Sequence, residues 1–184
     1  MAAFETPVCD FGWKPPDFSL QGIDGETHTL DAVKGPKGTL VMFICNHCPY
    51  VKAVLDRIVR DAKELQDLGI GVIAIMPNDP GTFEEDSFDN MKVVAREKGF
   101  TFPYAIDETQ EVAKAYDAVC TPDFFGFNAD LELQYRGRLD ASRKETAPAD
   151  ARRELFEGMA QVAETGKGPL EQTPSIGCSI KWRE

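Results

Sequence analysis

The chain has 184 residues, 42% hydrophobic and 28% charged, enough for one domain with a sizeable core. A formal net charge of -11 argues against nucleic-acid binding, which needs a basic face, and against docking on an anionic membrane. Acidity of this size serves solubility.

The N-terminal "MAAFETPVCDFGWKPP" lacks the basic and apolar regions of a signal peptide, and no segment reads as membrane-spanning, so the expected compartment is the cytosol. Then "PPDFSLQGIDGETHTL" predicts two short strands around an Asp24-Gly25 turn. "GTLVMFI", residues 38–44, is a short continuous apolar run, as in a central strand covered on both faces. From Val51 to Leu68, apolar residues recur at three and four with charges between them, an amphipathic helix that stops at Gly69. "IGVIAIM", residues 70–76, predicts another buried strand, and residues 86–98 a helix ending at Gly99. A short strand "FPYAID" and a short helix "ETQEVAKAYDA" follow. "PDFFGF" and "LELQYRG" read as strands joined at residues 128–130, with Phe124, Phe125 and Phe127 in the core. "PADARRELFEGMAQVAETG" reads as a closing helix, and "PLEQTPSIGCSIKWRE" as a tail without clear period. The alternation predicts an α/β fold with a mixed, mainly parallel sheet and helices on both faces.

Chemistry concentrates in "CNHC". Cys45 and Cys48 stand where the first apolar strand ends and a helix begins. Unpaired amides at a helix start stabilise a thiolate, and a Cys-x-x-Cys pair there can close into a disulfide. His47, two residues from Cys45, either stabilises the thiolate or is a polar loop residue; the spacing favours the first. Pro49 suits the first helical turn. In a reducing cytosol, five cysteines point to redox or metal chemistry rather than structural disulfides. A c-type haem site would need His at position 49, which is Pro49. Zinc would need four ligands, and with only His28 and His47 available it would have to recruit Cys9, Cys120 or Cys178. Two inert core thiols are the plain alternative.

Strand, Cys-x-x-Cys, long helix and βαβ continuation together resemble thioredoxin. The lead-in "PPDFSLQGIDGETHTL", the segment "VCTPDFFGFNADLELQYRGRLD" and the ending "PSIGCSIKW" resemble the redoxin branch, with its alkyl hydroperoxide reductase/thiol-specific antioxidant proteins and its peroxiredoxin-like thioredoxins. The resemblance spans nearly the whole chain. It implies one thioredoxin-like domain over residues 1–184, with an N-terminal hairpin extension (1–37) and a C-terminal tail (168–184). It implies that Cys45 is the exposed attacking thiolate and Cys48 the buried resolving thiol. Thr121-Pro122 would carry the family's cis-proline, which keeps the backbone open for substrate pairing, and Cys120 would lie beside the pair. The implied activity is thiol–disulfide exchange with a protein or small-molecule disulfide, without dissociable cofactor, and with a reducing or oxidising thiol partner.

The chain departs from its relatives at several positions. Thr39 stands where thioredoxins carry a buried Asp, and Val51 where cytochrome-maturation relatives often carry Glu, so no proton acceptor is evident. Asp107 and Asp140 are the carboxylates within folding reach, although solvated loop positions suit both better. In the peroxiredoxin pattern Pro-x-x-x-Thr-x-x-Cys, Cys48 would be the nucleophile, but Val41 and Cys45 replace Pro and Thr. The pattern's distant Arg falls near Thr121-Pro122, leaving Arg136 and Arg138 as substitutes. Peroxidase chemistry is therefore the second reading, and a metal-binding module on Cys45 and Cys48 the third. Cys178 is expected to be a packed small residue rather than a resolving thiol, and Cys9 has no assigned role. Trp13 and Tyr50 are placed at the border of the site.

Overall fold

The computed structural model describes residues 3–183. Residues 1, 2 and 184, at the ends of the expected extension and tail, lie outside the described residues. Among the described residues, ten strands form two sheets. In chain order they are β1 (Ala3–Glu5), β2 (Ser19–Gly22), β3 (Thr27–Thr29), β4 (Gly38–Phe43), β5 (Ile70–Met76), β6 (Tyr104–Ile106), β7 (Cys120–Thr121), β8 (Asp123–Phe127), β9 (Leu133–Tyr135) and β10 (Ile176–Ser179). The helices are α1 (Leu30–Val33), α2 (Pro49–Lys52), α3 (Leu55–Asp67), α4 (Phe88–Lys98), α5 (Glu111–Ala115) and α6 (Glu154–Thr165).

The large sheet has the order β3-β2-β6-β5-β4-β8-β9. The fold is α/β with an N-terminal hairpin of β2 and β3. Parallel pairing is confined to β4–β5 and β5–β6, and the other four contacts are antiparallel, so the sheet is mixed but not mainly parallel. The reason is local. Only the two helical crossovers between β4 and β6 make parallel neighbours; β2–β3 and β8–β9 are hairpins, and these two hairpins join the sheet antiparallel through β2–β6 and β4–β8.

Strand alternation divides the core in two. Leu40, Met42, Val72, Ala74, Met76 and Phe124 face one cluster, which α3, α4 and α6 cover. Val41, Phe43, Ile73, Ile75, Phe125 and Phe127 face the other, beneath α1 and α5. Both cysteines of the pair belong to the first cluster. Trp13 packs edge-on against Tyr116 at 5.6 Å in the second, so it does not border the site as expected.

Two differences from the sequence reading shape the site. The helix expected from Val51 to Leu68 is broken at Ala53-Val54 into α2 and α3; the Ala53 carbonyl freed there accepts from Thr146 Oγ1 at 2.6 Å. The helix expected over 86–98 starts at Phe88, because Ser87 is its N-cap and accepts from Asn90 N at 3.1 Å. Asp86 is thereby left in a 3-10 turn (Glu84–Asp86) and is fully buried.

The tail packs as β10, the middle strand of the small sheet β1-β10-β7. Gly177 permits this, since a Cβ there would meet the Thr121 carbonyl oxygen at 2.0 Å. Ser175 Oγ donates to the Pro122 carbonyl at 2.7 Å. Just beyond Pro122, Asp123 is gripped by Arg136 through two bonds of 2.8 and 2.9 Å, and Arg136 lies over the Phe125 ring. Both members of this ion pair are buried. Truncating one partner strands a buried charge, so Arg136→Met should lower unfolding free energy by about 3–5 kcal/mol, measured by urea denaturation. A loss below about 1 kcal/mol would mean that the pair is not held as described.

Candidate active site

β4 ends at Phe43, and residues 44–48 turn into α2. Cys48 is the N-cap of α2 and Pro49 its first residue. The helix thus begins four residues later than a start at Cys45 would have it. The consequence is electrostatic. The Cys48 thiol is lowered to about 5. The largest cause is the thiol of Cys45 donating to it, followed, against the cost of burial, by the Cys178 thiol and the backbone N–H groups of Val51 and Cys178. The Thr121 carbonyl oxygen, 3.3 Å from Cys48 Sγ, opposes the charge, but the donors outnumber it. Cys45 moves the other way. Burial pushes its thiol up, its proton is held by Cys48, and the charge of Asp86 adds to both. These opposite shifts favour the charge on Cys48, where the resemblance implied it on Cys45. Nor is Cys45 exposed: 2% of its surface is accessible, against 0% for Cys48.

The loop between the cysteines is clamped from below. Asn46 N donates to Asp86 Oδ1 at 2.8 Å, Asn46 Nδ2 to the Glu85 carbonyl at 2.9 Å, and Tyr104 OH to Asn46 Oδ1 at 2.9 Å. His47 is 8% exposed and stacks on Phe83 with ring centroids 4.0 Å apart. Its Nδ1 bonds Asp86 Oδ2 at 2.5 Å, and its Nε2 is buried without a partner among the described residues. An ionised carboxylate only accepts, so Nδ1–H is the donor in this bond. Cys45 Sγ, a His47 ring nitrogen and an Asp86 oxygen lie within 4.8 Å of one another. As a metal cage this set fits poorly, because Asp86 already accepts from Asn46 N, His47 Nδ1 and Asn78 Nδ2. It fits better as a sulfur, a base and the carboxylate that orients the base.

Thr121 and Pro122 face the pair from β7, and the peptide between them is cis. Thr121 Oγ1 is 3.3 Å from Cys45 Sγ. The backbone here is not open to an incoming chain, as the family resemblance implied. β10 pairs with it, Cys178 opposite Thr121 and Ser179 opposite Cys120. Cys178 Sγ lies 2.7 Å from Cys48 Sγ. A cavity of about 110 Å³ opens beside Pro122, lined among others by Tyr50, Val54, Phe124, Asp140 and Ile176, so Tyr50 does border the site.

Cys120 alternates away from Thr121 in β7, and burial pushes its thiol up, which disfavours the thiolate a reactive role would need. Cys9 packs against the opposite cluster. Asp107 caps α5 by accepting from Val112 N and Ala113 N, and Asp140 pairs with Arg57 and Ser142 N, so neither is the proton acceptor. Arg136 is bound to Asp123 and Arg138 to Glu154. Sequence reasoning missed Asn46, Asn78 and Asp86; the N-cap signal of Ser87 could have released Asp86 from the predicted helix.

A family model for the AhpC/TSA family matches residues 11–137. The chain belongs to the AhpC/TSA family. An uncharacterized conserved protein from Geobacillus kaustophilus is 46% identical, with TM-score 0.93 over 100% of this chain and 97% of that one. A hypothetical protein from Sinorhizobium meliloti 1021 is 33% identical, with TM-score 0.91 over 97% of each chain. The thioredoxin domain of a thiol-disulfide oxidoreductase from Bacteroides vulgatus is 15% identical, with TM-score 0.58 over 72% of this chain and 89% of that one, a likeness of fold. No curated protein matches. The fold is thioredoxin-like and the chain is a redoxin. Among the described residues, no helix is long and apolar enough to cross a membrane.

A Cys48 thiol lowered to about 5 is charged above that pH, and the charge is lost as pH falls through it. Thiolate ultraviolet absorbance of the reduced protein should therefore rise through about pH 5, and Cys48→Ser should remove that rise. A rise only near about 8.5, the free cysteine value, would contradict the assignment.

Proposed function

We propose that this redoxin is a thiol–disulfide oxidoreductase working through Cys45 and Cys48. The observation that carries the reading is the placement of the pair: Cys45 and Cys48 lie in the turn from β4 into α2 and face the cis Thr121-Pro122 peptide, with Thr121 Oγ1 3.3 Å from Cys45 Sγ and the Thr121 carbonyl oxygen 3.3 Å from Cys48 Sγ. Cys45 keeps the little surface access the pair has, so it makes the first attack. Its proton passes to Cys48, and its thiolate attacks one sulfur of a substrate disulfide, expelling the other as a thiolate. Cys48 then loses its proton and attacks Cys45 Sγ. The mixed disulfide breaks, a Cys45–Cys48 disulfide forms, and the substrate leaves as two thiols once the protons are returned. His47 Nε2 is the acceptor at hand for the proton in transit, with Asp86 holding the ring. Run backwards, the same steps oxidise a dithiol. A thiol partner of either poise closes the cycle, and no dissociable cofactor takes part. A reducing cytosol suits a protein whose five cysteines all stand as free thiols. Peroxidase chemistry would draw on the same Cys48 thiolate, but the two arginines offered in place of the peroxiredoxin one, Arg136 and Arg138, are both engaged in ion pairs.

Reduction of insulin disulfides in dithiothreitol, followed by turbidity, tests the reading. The protein should accelerate it, Cys45→Ser or Cys48→Ser should abolish the effect, and His47→Ala should slow it by about 10²-fold. Hydrogen peroxide consumption without any insulin reduction would replace this reading by the peroxidase one.

A further inference from the structure

Cys178 is a thiol that the exchange just described leaves unused, and it touches the pair; burial and the charge of Cys48 push it up to about 12, and the second of these is gone once Cys48 is in a disulfide. Its sulfur lies 2.7 Å from Cys48 Sγ, and its thiol receives the Tyr50 N–H at the start of α2. It does not hang on a loose tail. Cys178 sits in the middle strand of a sheet, paired with Ala3 on one side and Thr121 on the other. The strand is fixed beyond both ends: Ser175 Oγ bonds the Pro122 carbonyl, and Lys181 N donates to Asn78 Oδ1 at 2.9 Å. Asn78 in turn bonds Asp86, so the tail is tied to the carboxylate that holds His47. Gly177 brings the strand close enough to Thr121 for the two sulfurs to meet.

Cys48 therefore has two sulfur neighbours, Cys45 before α2 and Cys178 across it. We propose that Cys178 is the third thiol of an internal relay, exchanging with the Cys45–Cys48 disulfide to give a Cys48–Cys178 disulfide and a free Cys45. The inference rests on the exchange reading, which supplies the first disulfide. The step balances within the chain. The Cys178 sulfur attacks Cys48 Sγ, the bond from Cys48 to Cys45 breaks as the bond to Cys178 forms, and the leaving Cys45 thiolate takes the proton that Cys178 gives up. One disulfide replaces another, with no change in oxidation level. Oxidation is then stored between Cys48 and Cys178, 0% and 2% accessible, while Cys45, itself 2% accessible, stands free for the next exchange. Cys45 is returned as a thiol while the chain is still oxidised, and its attack on Cys48 reverses the relay.

Rapid mixing of the reduced full-length protein with oxidised glutathione tests this, with acid quench at successive times, alkylation and mass-spectrometric mapping of linked peptides. The expected result is a Cys45–Cys48 link that forms first and declines as a Cys48–Cys178 link rises. Cys45→Ser should form the second link at least about tenfold more slowly in the same buffer, because its route is gone. Cys178→Ala should stop at the Cys45–Cys48 link. A wild-type protein that shows the Cys45–Cys48 link alone at every time overturns the relay and leaves the exchange reading intact. A wild-type protein with no internal link at any time overturns both.

Discussion

The sulfur of Cys48 is the point on which the site depends. A thiol inside an apolar cluster would ordinarily stay protonated, because burial penalises the charge. Here that cost is offset by donors on three sides: the Cys45 thiol before it, the Val51 amide in the turn it caps, and the Cys178 amide and thiol across from it. Each donor needs a different part of the fold. α2 must start at Pro49, β4 must end where Cys45 can face Cys48, and β10 must lie against β7. Displacing any one of these removes a donor from a buried charge, which costs far more than an exposed hydrogen bond.

The same geometry explains why the site is closed. Thr121 presents its hydroxyl to Cys45 and its carbonyl to Cys48, while its backbone pairs with the protein's own β10. The chain thus supplies for itself the strand that a thioredoxin-like site would offer to a partner. The cavity beside Pro122 and Tyr50 lies next to this face, although neither cysteine of the pair lines it. Beneath the loop, Asp86 joins Asn46, His47 and Asn78 in one network, and Asn78 carries it to the tail at Lys181. Cysteine loop, His47 and C-terminal strand are thus linked through the hydrogen bonds of Asp86 and Asn78.

Much of this was legible in the sequence, and the remainder was hidden for identifiable reasons. Continuous apolar runs located β4 and β5, because strands buried on both faces cannot alternate. Cys-x-x-Cys at a strand-to-helix junction located the pair. The shift that favours charge on Cys48 over Cys45 was not legible, because three residues of loop separate Cys45 from α2, and periodicity does not fix a helix start to that accuracy. Asp86 was absorbed into a helix whose true start is marked by Ser87. Cys178 was read as packing because a two-prolined tail shows no helical period, although Ile176, Cys178 and Ile180 alternate as a strand does. Its partner strands β1 and β7 are three and two residues long, too short for any pattern. Long-range pairings of such strands, like the approach of residue 178 to residue 48, have no local signature.

The equilibrium potential of the Cys45–Cys48 couple tests the central claim most directly, because a stabilised thiolate stabilises the reduced form. Titrated in glutathione buffers, the couple should have a midpoint clearly above about -270 mV, the value of thioredoxin, and toward the about -180 mV of protein disulfide isomerase. A midpoint at or below about -270 mV would contradict a Cys48 thiolate held by its surrounding donors.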